Sequence, residues 1–78
     1  LINRPETAAG ATHFLGRLTK ELNRASEAER YLTRSLALLD LPDTHAELGQ
    51  LYIRLGRLSE AKQHLDQALR QDPDHYFA

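Results

Sequence analysis

The chain has 78 residues, with 10 Lys and Arg against 11 Asp and Glu, and no Cys, Met or Trp. That length bounds it to one small domain of marginal stability, since so short a chain buries only about 60% of its unfolded surface. Lack of Cys excludes a disulfide framework and a thiolate zinc site, and a net charge of −1 argues against a nucleic-acid partner. The longest purely apolar stretch, residues 36–39, is far too short to insert in a membrane.

Apolar residues recur at spacings of three and four, the period of an amphipathic helix. The first helix is predicted from about residue 6 to 21, with Ala11, Phe14, Leu15, Leu18 and Leu22 as its buried stripe and a stop at Asn23. The second is predicted to start near Ser26, where Ser26-Glu27-Ala28-Glu29 has the form of a capping box. Its stripe is Ala28, Leu32, Ser35, Leu36 and Leu39, and Pro42 ends the segment.

The third helix is predicted to begin near Pro42 to Thr44, because Pro suits a first turn and Asp43 favours the positive end of the helix dipole. Leu48, Leu51, Tyr52 and Leu55 form its stripe and Gly56 stops it. The fourth is predicted from about Ser59, carrying Ala61, Leu65, Ala68 and Leu69 as far as Asp72-Pro73. Val is absent and no alternating run occurs, so no strand is predicted. Short links make neighbouring helices antiparallel.

The chain also repeats itself at a spacing of 33 residues. Leu15, Gly16, Leu18, Leu22, Arg24, Ser26, Glu27, Ala28, Leu32 and Leu36 all recur as the same residue 33 positions later. At the turn, Asn23 pairs with Gly56, the two residue types that most readily take the left-handed conformation ending a helix. A repeat of this length points to a stacked array. Gly16 and Gly49 are expected to let the second helix of each pair approach, with Ala28 and Ala61 as the facing small residues.

The second copy resembles a tetratricopeptide repeat: His45-x-x-Leu48-Gly49-x-x-Tyr52, then Ala61-x-x-x-Leu65, Ala68 and Asp72-Pro73. The first copy is looser, with Thr12, Leu15-Gly16, Thr19, Ala28, Leu32 and Ser35. Thr12 and His45 stand where the family places a large aromatic, Thr19 replaces its Tyr, and the spacing is one short of the family's period of about 34.

The resemblance implies an all-α fold of antiparallel helix-turn-helix pairs, stacked as a fragment of a right-handed solenoid. It implies one module over residues 1–78: a first repeat at about 9–41, a second at about 42–74, and remnants of flanking helices at 1–8 and 75–78. The chain is thus expected to be an excerpt of a longer array, with Leu1, Ile2, Tyr76 and Phe77 exposed.

Few residues point to chemistry. No nucleophile motif or Gly-rich phosphate loop occurs, so no enzyme, catalytic residue or cofactor is predicted. His13, His45, His64 and His75 lack metal-ligand spacing along one helix, so no metal site is predicted. His45 is expected to fill the aromatic slot, partly buried, and His64 to sit on a solvated outer face. Glu27, Glu29, Arg30 and Arg34, with Glu60, Lys62, Asp66 and Arg70, read as solvated faces of alternating sign.

In the family the first helices of each pair line a concave groove that binds a peptide or a partner helix. By resemblance, that groove takes His13, Phe14, Arg17 and Lys20 from the first helix and Gln50, Ile53 and Arg54 from the third, with Gly10, Glu21, Asp43, Ala46 and Glu47 alongside. The implied function is a protein-interaction scaffold whose partner is another protein or peptide. Arg17, Lys20 and Arg54 suit its acidic groups, and Phe14 and Ile53 its apolar ones.

The chaperone-tail clamp of one subclass does not carry over. His13 and Arg17 stand at its Lys and Asn positions in the first repeat, and Glu47 at its Asn position in the second. The alternatives are self-association as a homo-oligomer through uncapped ends, and an RNA-binding helical repeat, which Glu21, Asp43 and Glu47 disfavour. The sequence names no compartment, the cytoplasm being a default expectation.

Overall fold

Helices form over the four segments that the periodicity marks out. A computed structural model describes residues 5–73 as α1 (Pro5–Glu21), α2 (Ala25–Leu38), α3 (Pro42–Arg54) and α4 (Leu58–Gln71), with no strand among them. Of the expected remnants at 1–8 and 75–78, residues 1–4 and 75–78, including Leu1, Ile2, Tyr76 and Phe77, lie outside the described residues, and residues 5–8 are the start of α1. Helices α1 and α2 pack as one hairpin and α3 and α4 as another. α2 packs against α3, and α1 touches α3 along one side.

Both hairpin turns are built identically, 33 residues apart. Asn23 has φ 62° and Gly56 φ 75°, the left-handed region that the Asn and Gly pair predicts. The Arg24 amide donates to the Thr19 carbonyl and the Asn23 amide to Lys20; the Arg57 amide donates to Tyr52 and the Gly56 amide to Ile53. This paired closure satisfies carbonyls that the end of the helix leaves open.

The turn passes the chain directly into the next helix, and that overturns the expected capping box. α2 starts at Ala25, so Ser26 lies inside its first turn; Arg24 is the cap residue and makes no side-chain cap bond. The same holds for Arg57 and α4. Glu29, expected to reach back to the cap, instead accepts from Tyr52 and Arg57. Pro42 does open α3, after a link at residues 39–41.

The core is Ala28, Leu32, Leu48, Leu51, Tyr52 and Ala61, with Ala25 and Leu36 packed against it. Full burial of one such Leu stabilises by about 1.5–3 kcal/mol. The glycines admit it: a Cβ on Gly16 meets Leu32 Cγ at 2.5 Å, and one on Gly49 meets Leu65 Cγ at 2.6 Å. The residues seated on the glycines are thus Leu32 and Leu65 rather than Ala28 and Ala61; the Ala61 carbonyl lies 3.4 Å from the Gly49 Cβ position.

The expected stripe of α1 is corrected. Ala11, Phe14, Leu15, Leu18 and Leu22 are exposed, and α1 buries Ala9, Gly16, Thr19 and Lys20 instead. Periodicity locates a stripe but not what covers it. The 33-residue counterparts of Ala11, Leu15 and Leu18 are Thr44, Leu48 and Leu51, all buried on α3, which packs against α2. Polar atoms inside the fold are satisfied: Thr19 Oγ1 donates to the Leu15 carbonyl at 2.8 Å, and Ser35 Oγ to the Ala9 carbonyl at 2.9 Å, tying α2 to α1.

Candidate protein-interaction groove

The 33-residue register gives each position on α1 a counterpart on α3, and the two helices touch. His13 stands in the row of Ala46, Arg17 in that of Gln50, and Glu21 in that of Arg54. Arg17 and Gln50 are both exposed, and the Arg17 guanidinium has no ion pair among the described residues. Arg54 is partly committed: its Nη1 donates to the Lys20 carbonyl at 3.1 Å, at the open end of α1, and its Nη2 lies 3.7 Å from Glu21. His13 is half-buried, with Nδ1 hydrogen-bonded to Thr44 Oγ1 at 2.9 Å.

Lys20 is not a free cation for a ligand. It is only 4% exposed, and its ammonium donates to Glu47 Oε1 at 2.5 Å and Gln50 Oε1 at 2.8 Å. Its position at the seam between α1 and α3 brings the two acceptors together. Phe14 is 61% and Ile53 51% exposed. They border the row at opposite ends: Phe14 holds the register position of Glu47, and Ile53 that of Lys20.

Two polar networks join α3 to its neighbouring helices, and sequence reading missed both. His45 is buried in the aromatic slot, as expected. Its Nε2 donates to Asp40 Oδ1 at 2.6 Å, and its Nδ1 lies 2.9 Å from His64 Nδ1. His64 is therefore not on a solvated outer face; its ring is packed between His45 and Tyr52. Asp40 also accepts from Gln71, which with His45 holds its carboxyl below the usual range.

In the second network Arg57 grips Glu60 with two bonds of 2.6 Å, reaches Glu29 at 3.3 Å, and stacks 4.5 Å over the Tyr52 ring. Tyr52 donates to Glu29 at 2.6 Å. Burial, reinforced by that carboxylate, pushes its phenol up to about 12. Glu29 and Glu60 keep 33% and 45% side-chain exposure within this network, and Lys62 and Asp66 form the expected exposed pair at 3.1 Å. Among the described residues no group of three His, Cys, Asp or Glu side chains has metal-site geometry.

Helical hairpins in register, joined through small residues and presenting a row of exposed polar side chains, define a repeat scaffold. Residues 42–75 match the family model of the tetratricopeptide repeat, which supports one such repeat over this part of the chain. Comparison with curated proteins and with solved structures gave no match. Repeats of this family generally mediate protein–protein interaction and are typically non-enzymatic. No helix among the described residues is long and apolar enough to cross a membrane.

Proposed function

We propose that residues 9–41 are a second, diverged repeat, and that α1 and α3 together bind an extended peptide or a partner helix. The observation that carries this reading is a pair of exposed side chains on the two helices that Lys20 joins: the Arg17 guanidinium, without an ion pair among the described residues, and the Gln50 amide. Arg17 supplies a two-pronged donor to a carboxylate. Gln50 offers its amide N–H groups to a backbone carbonyl, since its oxygen is held by Lys20. Phe14 and Ile53 are apolar anchors at the two ends, His13 and Arg54 flank the row, and Lys20 fixes it from below. The preferred partner is a segment combining acidic and apolar side chains.

Peptides selected from a random display library test this by calorimetric titration. Those that bind are expected to be acidic and to lose at least about tenfold in affinity against Arg17→Glu, the cost of about one charge-assisted hydrogen bond. Affinity unchanged by that substitution would refute the assignment.

A second reading, self-association, rests on the register. Leu15 and Leu18 present the surface that Leu48 and Leu51 bury, and Phe14 and Ile53 are apolar where the internal joint has Glu47 and Lys20. A second copy stacked head to tail would pair those surfaces and, being heterologous, would grow without closing. Sedimentation at rising concentration should then give steadily larger species; a monomer throughout removes this reading.

A further inference from the structure

The contact between His45 on α3 and His64 on α4 has a property that no other described helix contact has. The two Nδ1 atoms are 2.9 Å apart, so a single proton lies between them. With the His45 Nε2 proton directed at Asp40 Oδ1, neutral His45 accepts at Nδ1 and His64 donates. If His45 is charged, it donates and His64 accepts. If both are charged, two N–H groups face each other and the bond is lost. We propose that His45 and His64 form a one-proton latch between α3 and α4, closed at neutral pH and released when acid charges both rings.

The surroundings favour release over simple charging in place. His64 faces His45 and Tyr52 on α3, Asp40 in the α2–α3 link, and Glu60 one turn earlier on its own helix. Glu29 of α2 and Arg57 of the α3–α4 turn both meet Tyr52. Burial, and then the charge of His45, hold the His64 imidazole below its ordinary value; Glu60 and Asp40 offset this only in part. Asp40 already has His45 and Gln71 as partners, and Glu60 is gripped by Arg57. A charged His64 would have to compete with those partners for either carboxylate.

A histidine held below its unfolded value binds its proton more readily in the unfolded chain. Its contribution is therefore complete above pH 6.5 and is lost as pH falls through the lowered folded value. For one proton the unfolding constant rises by at most about tenfold per pH unit in that window. The Asp40 contribution has the opposite chemistry but the same slope, and falls away only below the ordinary carboxyl value of 3.8, in a separate range. The first hairpin has no such device: its counterparts of His45 and His64 are Thr12 and Tyr31.

Urea unfolding of the 78-residue chain and of His64→Gln, at about pH 7.5, 6.5 and 5.5, tests the latch. Gln keeps hydrogen-bonding capacity at that position but takes up no proton, while His13 and His75 are common to both proteins and cancel. Between about pH 6.5 and 5.5 the unfolding constant of the wild-type chain should rise several-fold more than that of His64→Gln. Nitrogen-15 NMR of the wild-type imidazoles, which needs no variant, should find His64 titrating below 6.5. Equal pH dependence of the two proteins, or a His64 titration at or above 6.5, overturns the proposal.

Discussion

Gly49→Leu should destabilise the fold by about 3 kcal/mol, lowering the melting temperature by more than about 12 °C or abolishing cooperative unfolding. The reason is geometric. A Cβ alone at position 49 falls 2.6 Å from Leu65 Cγ and 2.7 Å from its Cδ2. Cγ is a branch point rather than a flexible tip, so Leu65 cannot yield without moving α4 away from α3. Gly10 supplies the control. It too lies within a helix, but a Cβ there meets nothing within 4 Å, so Gly10→Ala should stabilise by about 0.5–1 kcal/mol through chain entropy alone. Thermal melts of both variants check the pair. Equal effects at positions 10 and 49 would mean that Gly49 marks no close helix approach.

Glu47→Ala should cost about 2–3 kcal/mol in chemical unfolding. Removing one partner of a fully buried ion pair costs about 3–5 kcal/mol, and Glu47 keeps 18% exposure, which reduces the figure. The Lys20 ammonium would be left 4% exposed with the Gln50 oxygen and, 4.0 Å away, the largely solvated Glu21 carboxylate. Lys20→Met combined with Glu47→Leu should return to within about 1 kcal/mol of wild type, because no charge is then buried. The chain itself carries apolar residues at the same two register positions, Ile53 and Phe14. A double variant as unstable as Glu47→Ala would show that shape, not charge, governs this seam.

The scaffold was legible in the sequence because the letters that recur at 33 are those of turns and close contacts. Asn23 and Gly56 end helices as read, and Gly16 and Gly49 admit the second helix of each pair. The capping box was misread because Ser26 and Glu29 have the right spacing wherever the helix starts; only the turn hydrogen bonds decide that. The α1 stripe was misread because Leu15 and Leu18 look the same in sequence whether or not a helix lies over them.

For the residues proposed to bind a partner, exposure was partly legible. Arg17 and Gln50 stand exposed as matched positions, but Lys20 reads as any surface lysine until α3 brings Glu47 beside it. Spacing along a single helix carries no sign of the histidine pair, because His45 and His64 meet across two helices. The register held a usable signal: the positions of both differ between copies, Thr12 to His45 and Tyr31 to His64, and they change together.

The central claim is that the repeated residues build the scaffold while the row on α1 and α3 takes the partner. Its most direct test is residue-by-residue NMR shift mapping of the chain on titration with the tightest peptide from the display selection. The account predicts the largest changes at His13, Phe14, Arg17, Gln50 and Ile53. Largest changes at Arg30, Arg34 and Arg70, on the outer helices α2 and α4, would contradict it.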